Sequence, residues 1–331
     1  MDIYFKRKYG ELYEKIENGK VEVFKFKNEL GSIRSMFIKR EIPIKINNKT
    51  YYDLTTPYGY GGPIIIDCID SNSKQELVQG FYKFFNDYCK VNNIVSEFIR
   101  FHPILQNHID FKDIYKIQYM RKTLGTNLKE FDDPVHSEFS KSCRKVIRRA
   151  LKNGITYDIE KGPDSIDEFK EIYYSTMDRN DASDYYYFDD EYFNNTINNF
   201  RENVIVVKAK YEGKTIASGL YFIYNKIIHI HLSGTLKEYL NLSPAYILRY
   251  AVTIWGKENG YELIHHGGGR TNSEDDSLYK FKKRFANNTE FDFYVGKKIW
   301  NVDVYNKLCE LKRVDYNMEF FPAYRVKYLK D

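Results

Sequence analysis

Among 331 residues there are only four cysteines, Cys68, Cys89, Cys143 and Cys309. They stand far apart and form no C-x-x-C pair, which excludes thiolate zinc ligands and a disulfide framework and fits reduced cytosolic thiols. No stretch approaches the roughly 20 apolar residues that cross a bilayer. The N-terminal "MDIYFKRKYGELYEK" has no apolar signal core, so no membrane span and a cytoplasmic location are expected. Charge of one sign is also scarce: 51 Lys and Arg face 46 Asp and Glu, for a net charge of +5. That balance excludes a general nucleic-acid coat and predicts no DNA partner, while a local basic surface stays open. Neither G-x-x-x-x-G-K-[ST] nor a helix-opening G-x-G-x-x-G occurs, so the two common nucleotide loops are absent.

What is present is globular: 43% apolar and 29% charged residues in a chain long enough for two domains, each with its own core. A repeat organises it. "VEVFKFKNELGSIRSMFI" from Val21 and "VIVVKAKYEGKTIASGLYFI" from Val204 each read as a β-hairpin turning at Gly31 or Gly213. Aligning Val21 with Val204 also pairs Ile33 with Ile216 and Ser35 with Ser218. Each hairpin precedes a strand, a helix and a second, parallel strand. The first series is "GPIIIDCI", "KQELVQGFYKFFNDYCKVNN" and "IVSEFIRF"; the second is "IIHIHLSG", "SPAYILRYAVTIWGKENG" and "YELIHH". Apolar stripes at helical spacing, Leu77, Phe81, Phe84 and Phe85 or Ile247, Leu248, Ala251 and Ile254, mark the helices. The pattern is α/β with mixed sheets, present twice.

Between the copies, "SEFSKSCRKVIRRALKNGI" predicts a helix whose stripe of Val146, Ile147, Ala150 and Leu151 is ringed by Lys141, Arg144, Lys145, Arg148, Arg149 and Lys152. It reads either as a solvated basic helix opening the second domain or as a contact for phosphate or RNA backbone. "RNDASDYYYFDDEYF" is a polar aromatic segment suited to a substrate groove. The tail "FFPAYRVKYL" predicts a strand after Pro322 that completes the first sheet. The expected domains are 1–139 completed by 312–331, and 140–311.

Candidate chemistry concentrates in "IHHGGGRTNSEDDSLYKFKKRF", Ile264 to Phe285. Gly267, Gly268 and Gly269 at the end of a strand suggest close backbone approach to a substrate, with Arg270 beside them. Asp275 or Asp276 could accept an amine's proton, or simply be solvated. His229 and His231 lie two apart on one strand, and His265 or His266 on its neighbour. No carboxylate or Cys at metal spacing accompanies them, so no metal is expected, and His231 is a candidate base or a core histidine. In the first half, "TPYGYGGP" offers Tyr58 and Tyr60 to stack on a sugar or base, and Arg100 and His102 end a strand that shares the pocket.

"TPYGYGGP", "CRKVIRRALKNG", "HLSGT", "HHGGGRTNSEDDSLYKFKKRF" and "FFPAYR" occur in this order, and with the duplicated core they resemble the Fem (FemABX-like) peptidyltransferases and GNAT-like acyltransferases. The resemblance covers most of the chain and implies two tandem GNAT-like domains, with acceptor and donor meeting between them. It implies an acyltransferase, moving an acyl or aminoacyl group to the amine of a cell-envelope precursor, peptidoglycan or sugar. The donor would be aminoacyl-tRNA or acyl-CoA, and the partners a small-molecule acceptor and tRNA. By this resemblance Lys282 matches the lysine of the "FK" segment near the transfer site and would neutralise a phosphate or oxyanion, with Lys283 as substrate-binding neighbour. The CoA-binding turn Q/R-x-x-G-x-G/A has no counterpart in "TLKEYLNLSPAY", where Lys237 or Ser243 could still hold an anion. The alternatives are an acetyl-CoA-dependent N-acetyltransferase of an amino sugar and, from another class, a non-catalytic module binding a nucleotide sugar or RNA.

Overall fold

The computed structural model describes residues Met1–Val326, and the chain divides into two compact units. The first begins with helix α1 (Arg7–Glu11) and the hairpin β1 (Gly19–Asn28) and β2 (Gly31–Glu41). There follow β3 (Tyr52–Thr55), β4 (Ile64–Cys68), α2 (Lys74–Val91) and β5 (Ile94–Arg100). Helix α2 buries Leu77, Phe81, Phe85 and Cys89, an unbroken i, i+4 row, against the sheet. Each such aromatic removes enough apolar surface from water to contribute about 2–3 kcal/mol. Phe84 does not belong to that row: it is one residue round the helix and 59% exposed.

One expectation changes here. The parallel neighbour of β5 is β3, in register Thr55↔Phe98, whereas the "GPIIIDCI" strand β4 pairs antiparallel with the start of β2. The "TPYGYGGP" loop makes this switch. Its Thr56 and Gly61 amides donate to Phe98 and Arg100 carbonyls along β5, and then the chain leaves that strand.

The second unit runs from Arg121 to Asp292. Its elements are β6 (Lys116–Asn127), which enters it, α3 (Pro134–Glu138), α4 (Lys141–Lys152), β7 (Thr156–Lys161), α5 (Asp167–Arg179) and α6 (Asp190–Phe200). Then come the hairpin β8 (Val204–Tyr211) and β9 (Lys214–Tyr224), β10 (Ile227–Thr235), α7 (Pro244–Glu258), β11 (Leu263–Gly268) and α8 (Ser277–Lys283). Strand order within this unit is β6-β11-β10-β9-β8-β7. Helix α7 packs Ile247, Leu248, Ala251 and Val252 into the core, and α4 adds Cys143, Ile147 and Ala150. Parallel pairing of β10 with β11 is confined to Ile227–His229 against Leu263–His265. Beyond those three pairs the strands make other partnerships, so the sheet parts on the approach to Gly268.

Strand β12 (Thr289–Ile299) and α9 (Val302–Lys312) return the chain to the first unit. The units therefore meet at Met120/Arg121 and Asp292/Phe293, not at 139/140 and 311/312. The reason is pairing: Thr123–Asn127 of β6 bond to β11, while Val295–Ile299 of β12 bond to β5. It is β12 that extends the first sheet. The expected tail strand is instead a 3-10 turn, Ala323–Arg325, whose Tyr324 hydroxyl donates to Asp53 at 3.2 Å; residues 327–331 lie outside the described residues.

Candidate active site

The loop after β11 is organised by Asp276. It is the N-cap of α8: Oδ1 accepts the Tyr279 amide at 2.8 Å, and Oδ2 accepts the Arg270 and Thr271 amides at 2.9 and 3.0 Å. Burial pushes its carboxyl up, but these amides outweigh it and hold the pKa below its ordinary value. Asp276 is thus a fastening for the loop and a poor proton acceptor. Asp275 is exposed and paired with Lys280.

The glycines answer to this packing. A Cβ on Gly269 would lie 2.6 Å from Asp276 Oδ1, and one on Gly268 would lie 3.0 Å from both Arg121 Cδ and the Lys122 carbonyl. Gly267 takes φ +70°. The close approach expected from three glycines is therefore made by the chain's own carboxylate and its β6 strand. What the loop offers outward is a pair of carbonyls, and each anchors a cation. Lys282 Nζ donates to the Gly268 carbonyl and Arg121 Nη1 to the Gly269 carbonyl, both at 2.7 Å.

Lys282 sits on α8. Burial pushes its pKa down to about 7, Arg249 and Arg121 push the same way, and Asp276 opposes them. Arg249 projects from the apolar stretch of α7, between Leu248 and Ala251, and is 6% exposed. It donates to the Tyr221 hydroxyl at 3.1 Å, its Nε has no partner, and it forms no ion pair among the described residues. Its guanidinium stays charged at any accessible pH. A half-buried lysine and a buried arginine thus act on one another electrostatically, neither ion-paired with a carboxylate among the described residues.

His266 completes the group. It is the extra residue in an irregular pairing of β11 with β6, where His265 faces Gly125 and Gly267 faces Leu124, so its side chain is turned out of the strand's alternation. Thr126 Oγ1 donates its one hydrogen to the Phe285 carbonyl at 2.7 Å and so must accept from His266 Nε2 at 2.8 Å. This fixes the tautomer: Nε2 carries the proton and Nδ1 a lone pair, which is buried and unpartnered among the described residues. Burial, then Arg249, then Lys282 push the imidazole well below its ordinary pKa, so it is neutral.

The remaining candidates separate from this group. His231 lies where the β10–β9 register shifts; its Nε2 is 2.6 Å from the Tyr192 hydroxyl, and burial, then His229, push it down to about 3. It is a neutral histidine held by an aromatic neighbour, not a base at physiological pH. Lys283 is committed to Glu290 and to the Asn287 carbonyl, and Arg270 is exposed with only its amide engaged by Asp276.

In the first unit, Tyr58, Tyr60, Arg100 and His102 do come together, but mostly as packing. Tyr60 is wedged among Tyr4, His102 and Phe293 with ring centroids 5.3–5.5 Å apart. His102 is fully buried and its Nδ1 accepts the Leu105 amide at 3.2 Å. Gly59, at φ +94°, lies where a Cβ would fall 2.4 Å from the Tyr4 ring. Only the Arg100 guanidinium over the Tyr58 ring, at 5.6 Å, keeps the expected character of a stacking pair.

Residues 137–283 match the family model described as an acetyltransferase (GNAT) domain. The solved structure of FemX superposes with a TM-score of 0.69 at 13% identity over 92% of this chain and 94% of that one. The C-terminal domain of a putative lysylphosphatidylglycerol synthetase from Agrobacterium fabrum gives 0.56 at 13% over 90% and 91%. The fold is therefore of the GNAT type, its core present twice. Within that class the chain is similar to FemX in fold. A UDP-N-acetylmuramoylpentapeptide-lysine N(6)-alanyltransferase from Weissella viridescens is 24% identical over 175 residues, 52% of this chain and 51% of the relative, so the match spans about half the relative's length.

Proposed function

We propose that this chain is an acyltransferase that moves an aminoacyl group from an activated ester to a primary amine of a peptidoglycan precursor. The observation that carries the proposal is the pair of cations, half-buried Lys282 and buried Arg249, with no paired carboxylate among the described residues. Such a pair is costly unless an anion binds or forms beside it, and aminolysis forms one. The amine nitrogen attacks the donor carbonyl carbon, the C–N bond forms, and the carbonyl electron pair moves to oxygen as an oxyanion. Lys282 and Arg249 hold that charge. Collapse breaks the C–O bond to the leaving group, and the proton lost by the amine ends on the departing oxygen. With a pKa near 7, Lys282 exchanges protons at neutral pH and can carry it. The Nδ1 lone pair of His266 can accept a hydrogen bond from the incoming amine, while Asp276 positions Lys282 by fixing the loop and the start of α8.

The acceptor class rests on the half-length similarity to the alanyltransferase, and the aminoacyl-tRNA donor on the Fem resemblance. The acetyltransferase description of the matched domain favours acetyl-CoA instead. Against that donor, Ser243 before α7 is left-handed, Pro244 lacks an N–H, and the Tyr246 amide already serves the Ser243 carbonyl at 3.1 Å. Two donors of the helix start are thereby withdrawn from a pyrophosphate. The test offers labelled aminoacyl-tRNA or acetyl-CoA with a muramoyl-pentapeptide acceptor or an amino sugar and reads the product by mass. Gain of one amino-acid residue on the peptide supports the proposal. Acetylation alone replaces it with the acetyltransferase, and tight ligand binding without any product replaces it with a non-catalytic module.

A further inference from the structure

Helix α4 carries Lys141, Arg144, Lys145, Arg148, Arg149 and Lys152 and no acidic residue. Its apolar side, Cys143, Ile147 and Ala150, is spent in the core. Arg144 folds back onto the His136 and Phe139 carbonyls. The other five cations are exposed, and none has an ion-pair partner among the described residues. Several other cations of this unit are matched, Lys170 with Asp167 and Asp190, Lys208 with Glu160 and Glu168, Lys283 with Glu290, while exposed Lys237 and Arg270 stand singly. The α4 face is thus an unneutralised row, about 18 Å long over its 12 residues.

One end of the row is joined to the candidate site. Ser140, the N-cap of α4, donates its amide to the Arg284 carbonyl at 2.9 Å, and Arg284 is two residues beyond Lys282. Arg284 itself reaches the Tyr246 hydroxyl at 3.0 Å. The cations therefore begin beside the α8 turn that holds Lys282 and run away from it for three turns of helix. A single phosphate would use one turn, and a polyanion uses all three. A bilayer surface fits less well, because half-buried Val146 is the one aliphatic side chain of α4 outside the core packing, too little to insert.

We infer that the outer face of α4 docks the phosphate backbone of an RNA and leads its aminoacylated end to Lys282. The inference rests on the aminoacyl reading above. Phosphates lying along Lys145, Arg148, Arg149 and Lys152 release counterions, so binding weakens steeply with salt.

The test compares the full chain with a variant carrying Lys145→Gln, Arg148→Gln, Arg149→Gln and Lys152→Gln. A control of equal charge change carries Lys27→Gln, Lys83→Gln, Lys112→Gln and Lys312→Gln, all at exposed positions. Circular dichroism confirms that each folds. Bulk tRNA binding is followed between 50 and 200 mM salt, beside phosphatidylglycerol vesicles, and transfer is measured from aminoacyl-tRNA and from a short aminoacyl-dinucleotide. The expected result is a log–log salt slope shallower by about 3 to 4 in the α4 variant alone. Its KM for aminoacyl-tRNA rises at least tenfold, and transfer from the dinucleotide is kept. Equal tRNA binding by variant and wild type overturns the inference, as does α4-dependent binding to vesicles that exceeds binding to tRNA. If wild type binds RNA through α4 but transfers from neither donor, the activity falls and the docking surface stands.

Discussion

Lys282 gives the sharpest physical prediction. Its pKa falls from an ordinary 10.5 to about 7 because burial and the Arg249 charge oppose the ammonium. At about 1.4 kcal/mol per pH unit, that difference corresponds to several kcal/mol, on the order of 5, against the protonated form in the folded chain. Between pH 7 and 10.5 the unfolded chain holds this proton and the folded chain does not, so stability rises with pH across that window. Below pH 7 both states are protonated and the folded state bears the full cost. Lys282→Met removes it. The variant should be more stable than wild type at pH 6 by a few kcal/mol, and the gain should shrink towards zero by pH 10. Urea unfolding at a series of pH values measures this, and the 13Cε shift of Lys282 gives the midpoint directly. A pH-independent difference, or a midpoint near 10.5, would refute the reasoning.

The same electrostatics fix the direction of neighbouring changes. Arg249→Met removes the largest charge acting against Lys282 and should raise its midpoint, read by the same shift. Asp276→Ala removes the α8 cap and an opposing negative charge: about 1 kcal/mol of stability is lost in urea unfolding, and the Lys282 midpoint moves below 7. Glu97 in the first unit is 2% exposed and its pKa is raised by burial to about 8, although the Tyr115 hydroxyl and Trp300 Nε1 donate to it. Between pH 4.5 and 8 the folded chain holds a proton that the unfolded chain has lost, so wild type should lose stability with rising pH relative to Glu97→Gln. Parallel pH curves would contradict this.

Much of the architecture was legible because it rests on periodicity. Both hairpins, the helix with Leu77, Phe81 and Phe85, and the basic helix at Lys141–Lys152 follow from apolar spacing and turn glycines. The domain boundaries did not follow, because β6 and β12 change partners midway, and pairing between distant strands leaves no local signature. Lys282 was reached by resemblance, and its charge environment was not. Arg249 had a signal, a lone cation within "AYILRYAVTIW", but its approach to Lys282 depends on how α7 and α8 fold together. The triple glycine misled for a related reason: sequence shows that room is needed and not that Asp276 fills it. Tyr60 in its glycine-rich loop and His102 after β5 misled in the opposite sense, since such polar rings look exposed until Tyr4 and Phe293 pack on the first and Tyr4 and Phe5 on the second.

The most direct test of the central claim is the single-turnover rate of aminoacyl transfer to a muramoyl-pentapeptide by wild type and by Lys282→Ala, with folding checked by circular dichroism. If Lys282 holds the developing oxyanion, wild type transfers the residue and the variant is slower by about 10²–10³ with its fold intact. Transfer by the variant within threefold of wild type would contradict the account.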